Sequence, residues 1–286
     1  MQIVVEIGGE RLDKYLTKRV TCTRSQLKHA KILLNGKTVK SGVLLRVGDV
    51  IDFEIASGES TAMPERVNLD TVFEDDWLLV INKPRGMVVH PGAGVRHGTL
   101  LNALLGRGAS LERAGIVHRL DKNTAGLLVV AKTAEVQAKL AAMFQKHEVR
   151  RAYIGLVEGV VAGEGKIDTQ IVRDARRRTL FTTATSGGRK AVTRYKVLKN
   201  FSKWTLVQFE LETGRTHQIR VHCKSIGHPI VGDPEYNLNS SIKGLSGQML
   251  ESVEVSFFHP ITSKPMQFKL NPSKEFEIVK NFMCTR

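Results

Sequence analysis

The sequence predicts an α+β chain: a small N-terminal α/β unit, then a larger domain built on a mixed, largely antiparallel sheet. Three observations carry that expectation. From about residue 69 the pattern turns to many short strand-like runs with a few amphipathic helices between them. An Asn35-Gly36 hairpin signal sits between apolar runs near the N-terminus. Ser57 to Glu65 is polar, carries Gly58 and Pro64, and lacks large apolar side chains apart from Met63. It reads as a linker region over 57–68, separating domains 1–60 and 61–286.

The N-terminal unit opens with Arg11 to Leu16, a short helix with Leu12, Tyr15 and Leu16 on one face. A second helix starts at Thr23 to Lys28, with Thr23 or Ser25 as its cap. Ile32 to Val39 is two strands around the Asn-Gly turn, and Gly48 to Ile55 is a turn and a strand. In the larger domain, Trp77 to Ile81 is a buried strand, and Gly98 to Leu105 is a helix capped by Thr99. Ala134 to His147 is amphipathic, with Val136, Leu140, Met143 and Phe144 on one face. Tyr153–Val157, Val192–Leu198 and Trp204–Leu211 are strands. Thr216 to Ile226 is a helix entered from a tight Thr213-Gly214 turn, and Thr182 to Gly188 is a hairpin tip.

Composition narrows the function. The chain has 43 Lys and Arg against 28 Asp and Glu, a net charge of +15. That excess points to a polyanionic partner, with nucleic acid as the first candidate. Cys22, Cys223 and Cys284 are scattered, with no disulfide framework or zinc-clip spacing, so a reducing cytoplasm is the expected location. The N-terminus does not read as a signal peptide, and no apolar run reaches membrane-spanning length, so no membrane partner is expected. His217, His222, His228 and Cys223 cluster in sequence, but the five-residue gap between the first two does not stack ligands on one helix face. No metal site is expected.

The segment richest in chemistry is Gly115-Ile116-Val117-His118-Arg119-Leu120-Asp121-Lys122-Asn123-Thr124-Ala125-Gly126. Apolar strand-like runs flank a charged, turn-forming centre, so Asp121 reads as a loop carboxylate among cations. On residue type alone it reads first as an ordinary loop aspartate paired with Lys122. Three further segments stand out: Asn82 to Pro91, Val149 to Tyr153, and Leu211 to His222 followed by Gly227 to Asp233.

These four segments, in this order, resemble the RluA-type RNA pseudouridine synthases, whose catalytic aspartate ends a His-Arg-Leu-Asp motif. The resemblance covers almost the whole larger domain and implies the pseudouridine synthase fold, with Asp121 as the catalytic residue and no metal or organic cofactor. The front end resembles the S4 RNA-binding domain at Arg24-Ser25 and Asn35-Gly36, although Ala30-Lys31-Ile32 replaces the usual glycine and valine. Together the two resemblances imply a member acting on structured RNA, above all large-subunit ribosomal RNA, with no obligate protein partner. A transfer-RNA enzyme of the same family and a non-catalytic RNA-binding or ribosome-assembly factor are the rival readings.

The chemistry fits the residue types. Pseudouridine formation breaks the bond from ribose C1′ to base N1, turns the base, and joins C5 to C1′. An ionised carboxylate can add to C1′, stabilise charge there, or take a proton from C2′. A close arginine keeps such an acid ionised against burial. By resemblance Arg215 fills that role, with Gly214 permitting the turn that aims it; its alternative is a phosphate contact. Tyr153 stacks on the flipped uracil and assists the final deprotonation at C5; its alternative is a packed core tyrosine. Arg119 fills the gap left by the flipped nucleotide, and His118 contacts the substrate beside it. Arg176, Arg177 and Arg178, with Arg189 and Lys190, are expected phosphate contacts. Asn123 and Ala125 replace the family's usual acid and serine, and Gln248 to Ser252 departs from its late motif, so local RNA contacts differ.

Overall fold

The computed structural model describes residues 2–20, 27, 30–54, 62–92 and 94–285. Residue contacts divide the chain into two units, Met1–Thr61 and Ala62–Arg286.

In the first unit, β1 (Gln2–Val4), β2 (Lys31–Leu34), β3 (Lys37–Thr38) and β4 (Val50–Glu54) form an antiparallel sheet ordered β1-β4-β2-β3. Helix α1 (Leu12–Arg19) buries Leu12, Tyr15 and Leu16 in a core with Ile32, Ile51 and Phe53. These positions lie on one helical face, which is why the pattern was readable. Asn35 and Gly36 both take positive φ, 51° and 75°, as a two-residue hairpin needs to match strand twist. The Asn35 side chain fixes that turn, donating from Nδ2 to Asp49 at 2.8 Å and accepting from Val50 N at 2.8 Å. The expected second helix, with Arg24 and Cys22, lies outside the described residues apart from the buried Leu27.

The second unit is built on a ten-stranded sheet. Its strands are β5 (Asp70–Glu74), β6 (Leu78–Lys83), β7 (Ala125–Ala131), β8 (Arg150–Glu158), β9 (Glu164–Arg173), β10 (Phe181–Ala184), β11 (Arg189–Asn200), β12 (Trp204–Leu211), β13 (Leu250–Phe258) and β14 (Pro265–Lys269). The spatial order is β10-β9-β11-β12-β8-β13-β7-β6-β5, with β14 on β13. Every pairing is antiparallel except β13 with β7.

Alternation along the strands sorts side chains onto two faces. Leu79, Ile81, Leu128, Val130 and Tyr153 join one core, which helices α2 (Leu100–Gly106) and α4 (Gln218–Ser225) cover through Leu100, Ala103, Leu104, Ile219 and Cys223. Leu78, Val80, Leu127 and Val129 face the opposite side, under Val136 and Leu140 of α3 (Ala134–Gln145). Ile154 and Leu156 face that same side under Phe276, Val279 and Met283 of α5 (Lys274–Cys284). With both faces covered, β7 is buried along its whole length, which explains its uninterrupted apolar run. Thr99 caps α2 through a reciprocal pair with Asn102.

Two expectations need correction. Residues 62–68 are not free linker: Ala62 and the following Leu69 are each 5% exposed, and Asn102 clamps the segment through Met63 O at 2.7 Å and Glu65 N at 3.0 Å. Its polar composition hid this, because the clamp uses backbone groups. The hairpin tip near 182–188 also lies elsewhere. β10 and β11 do not pair with each other but flank β9 on opposite edges. The true tip is the 174–180 turn, where Asp174 accepts from Arg176 N at 2.9 Å and Arg177 N at 2.8 Å. Among the described residues no helix is long and apolar enough to cross a membrane.

His222 of α4 is fully buried between the hydroxyls of Thr193 at 2.9 Å and Thr169 at 3.0 Å. Burial pushes it down to about 4, against a small opposing effect of Asp168. A neutral imidazole serves both hydroxyls, which can each donate or accept. Burial likewise holds His118 down to about 3 and His90 to about 4. Each depressed histidine favours the folded state above its ordinary value of 6.5, and that stability is lost as pH falls from 6.5 toward 4. His222→Gln should flatten the fall in unfolding free energy over that window by up to about 1.4 kcal/mol per pH unit. Urea unfolding at a series of pH values measures it; an unchanged slope would show that His222 is protonated in the fold.

Candidate active site

The Asp121 loop is held between two glycines. Gly115 and Gly126 take positive φ, 79° and 111°, and an added Cβ would meet Ala131 O at 1.9 Å or Ser252 O at 2.1 Å. No other residue fits either end. Leu120, 4% exposed, anchors the loop in the core, and its neighbour Asp121 lines a cavity of about 800 Å³.

Two buried cations of the Asn82 to Gly86 segment fix the loop backbone. Lys83, fully buried at the end of β6, donates to Pro84 O and Met87 O at 2.9 Å and to Lys122 O at 3.2 Å. Three carbonyls match the three hydrogens of an ammonium. Burial pushes Lys83 down to about 7; the Asp121 charge opposes this and Arg85 adds to it. Arg85 donates to Asn123 O at 2.6 Å and to Gln248 O, and pairs with Glu251 at 3.1 Å and Glu275 at 2.9 Å. It thereby ties the loop to β13 and to the start of α5. Gln248 adds a bond to Thr124 at 3.1 Å.

The arginine beside Asp121 is Arg220, not Arg215. Arg220 Nη1 donates to Asp121 Oδ2 at 3.1 Å, and the Arg220 side chain is only 3% exposed. Its remaining nitrogens grip Asp233, with Nε to Oδ2 at 2.7 Å and Nη2 to Oδ1 at 2.8 Å, and Nη2 meets Glu235 at 2.5 Å. Burial alone would favour the neutral form. The bonds and charges of Asp233, then Asp121 and Glu235, outweigh it and hold the proton more firmly than in water. Asp233 is itself fully buried and accepts from Glu235 N and Tyr236 N at 2.9 and 3.0 Å.

Helix spacing explains why Arg215 does not reach. His217 immediately precedes α4 and Arg220 lies in its first turn, and both reach Asp121; His217 Nε2 lies 3.9 Å from Asp121 Oδ1. Arg215 precedes the helix, in a turn held by Gln218, which accepts from Thr213 Oγ1 at 2.7 Å and Arg215 N at 3.0 Å. Its Nε donates instead to Lys190 O at 3.0 Å. The signal for Arg220 was present as the His-x-x-Arg spacing inside Thr216 to His222.

His217 carries φ of 57° at the start of α4. Tyr236 Oη accepts from Phe181 N at 2.9 Å and meets His217 Nδ1 at 2.9 Å. Burial lowers the pKa of His217, against the raising effect of Asp121.

The other expected residues fall as follows. Tyr153, on β8, is 5% exposed and lines the cavity. Burial raises its pKa, with Arg151 opposing and Asp121 adding, so the hydroxyl keeps its proton at neutral pH. Arg119 and Arg189 line the same cavity and are exposed. His118 faces back into the structure: Nε2 accepts from Val129 N at 2.8 Å and the ring stacks on Phe144 at 4.6 Å. Arg176, Arg177 and Arg178 are exposed at the β9–β10 tip, and the Lys190 ammonium is exposed 3.9 Å from Asp168. His222 and His228 bind elsewhere, His228 to Glu158 O at 2.8 Å. Among the described residues, the cavity wall thus carries six arginines and a single carboxylate, Asp121.

Comparison with known proteins gives this geometry its class. Residues 77–225 match the RNA pseudouridylate synthase family model. The chain is 39% identical to the ribosomal large subunit pseudouridine synthase D of Neisseria meningitidis, covering 94% of this chain and 77% of that protein. It is 38% identical to the uncharacterized RNA pseudouridine synthase YlyB of Bacillus subtilis, over 96% of this chain and 95% of that one. In structure it resembles human RNA pseudouridylate synthase domain containing 1, with a TM-score of 0.60 at 24% identity, over 72% of this chain and 84% of that one. The chain belongs to the RNA pseudouridylate synthase family and is an isomerase of uridine in RNA.

Arg220 and Arg215 should separate in kinetics. Arg220→Lys keeps the charge but loses the fork to Asp233 and Asp121. It should lower the single-turnover rate at saturating RNA about a hundredfold, the scale for one lost electrostatic stabiliser. Arg215→Ala should keep that rate and lower the salt slope of log K by about 0.7–0.9. A larger rate loss in Arg215→Ala than in Arg220→Lys would contradict this geometry.

Proposed function

We propose that the enzyme isomerises specific uridines of large-subunit ribosomal RNA, with Asp121 as the catalytic residue. The observation that carries this reading is the single carboxylate in an arginine-lined cavity, gripped by the buried Arg220. The names of its relatives support the ribosomal substrate.

In this reading the uridine leaves its stack and its base enters the cavity. The C1′–N1 bond breaks, and ionised Asp121 stabilises the electron-poor sugar. Arg220 aims Asp121 through its contact at 3.1 Å. The base turns, C5 bonds to C1′, the C5 proton is lost to solvent, and N1 takes up a proton in its place. Tyr153 packs against the uracil as a neutral phenol, and Arg119 fills the vacated stack. Arg176, Arg177, Arg178, Arg189, Lys190 and Arg215 bind phosphates around the opening. The unit of residues 1–61 acts as an S4-like RNA-binding domain through Arg24, and the enzyme works in the cytoplasm.

Mapping pseudouridine in total RNA from cells with and without the gene tests this directly. Deletion should remove one or more pseudouridines from large-subunit ribosomal RNA. The wild-type gene should restore them, and Asp121→Asn should not. Restoration by Asp121→Asn would remove Asp121 from catalysis, and loss from transfer RNA alone would reassign the substrate.

A further inference from the structure

We propose that Arg151, seated over Phe144, is an anion seat in the cavity wall that receives a phosphate of the nucleotide being isomerised. The inference rests on the RNA-isomerase reading and extends it to a residue that the catalytic scheme leaves unused.

The first observation is missing partners. Among the described residues, the Arg151 side chain makes no hydrogen bond or ion pair; its guanidinium lies 5.3 Å over the Phe144 ring. Three buried side-chain atoms there lack a hydrogen-bond partner, and two of them, Arg151 Nε and His118 Nδ1, belong to side chains of this one cavity. His118 Nε2 accepts from Val129 N, so its hydrogen is on Nδ1. Both orphans are therefore donors. Leaving a buried donor unpaired costs about 1–3 kcal/mol, a cost that an arriving acceptor relieves.

The second observation is room. Gly214 does not have positive φ, so its turn does not require glycine. A Cβ there would instead stand 3.0 Å from Arg151 Nη1. The missing side chain keeps space at the head of the guanidinium, correcting the expectation that Gly214 serves the turn.

The third is charge. Six arginines and one carboxylate line the cavity, and Arg220 already holds that carboxylate. An unpaired guanidinium here favours an anion over a neutral uracil carbonyl, because charge-assisted bonds are about twice as strong as neutral ones. The planar fork suits a phosphodiester.

The test uses the full chain labelled with ¹⁵N-arginine. The Arg151 Nε–H resonance, observable because burial slows its exchange, is assigned by its loss in Arg151→Lys. The probes are uridine 3′,5′-bisphosphate and uridine. The bisphosphate should move this resonance saturably, and uridine at equal concentration should not. In Arg151→Lys the bisphosphate, followed through the remaining arginine resonances, should bind about tenfold more weakly, as expected for one charge-assisted contact. Equal shifts from both probes, or none from either, would overturn the proposal. On RNA, Arg151→Gln should raise the half-saturating concentration about tenfold with the saturated rate within about threefold. A lowered saturated rate at unchanged affinity would also overturn it. The titration needs no turnover, so an enzyme that modified no RNA would fail the isomerase reading and leave the seat separately decided.

Discussion

The active site depends on one buried ion pair, the fork between Arg220 and Asp233. Moving either charge out of water costs several kcal/mol, and only excellent geometry with further hydrogen bonds repays it. Here both conditions hold. Asp233 receives two guanidinium nitrogens and two backbone N–H groups, and Arg220 also meets Asp121 and Glu235. Three carboxylates share one cation. Asp121 is the one of the three that lines the cavity, and the shared guanidinium fixes where its oxygens point.

The sheet and loop serve that geometry. β7 is buried on both faces and cannot shift without emptying two cores. The loop ahead of it is pinned by glycines that allow close backbone contact and by Lys83 and Arg85, which bind its carbonyls. Asp121 is thus placed from the sheet side and Arg220 from α4. Their meeting is a contact between two rigid elements, the arrangement that holds catalytic groups most firmly.

Much of this was legible in the residues. Helix and strand periods located α3, β11 and β12, because these elements have one clear apolar face, and β8 stood out as an apolar run buried on both faces. The Asn35-Gly36 turn formed as read, because its φ values admit few other residues. The Asp121 loop stood out as a charged interruption between apolar strands. Arg215 was misplaced because it lies beside a turn glycine that looked suited to aiming it, whereas α4 begins after it and its first turn brings Arg220 to Asp121. Lys83 and Arg85 were also missed as supports, since their hold on the loop runs through backbone carbonyls of Lys122 and Asn123, which residue type does not reveal. The 62–68 segment was read as linker for the same reason.

The most direct test of the central claim is the Asp233→Asn variant, which loosens the anchor while leaving Arg220 and Asp121 in place. Single-turnover kinetics at saturating RNA should then show a rate loss of about thirtyfold or more, the scale of a misdirected electrostatic group. RNA affinity should change by less than about threefold, since Asp233 is fully buried and cannot touch the RNA. A folded Asp233→Asn enzyme with the wild-type saturated rate would contradict the claim that this ion pair holds the catalytic carboxylate in working order.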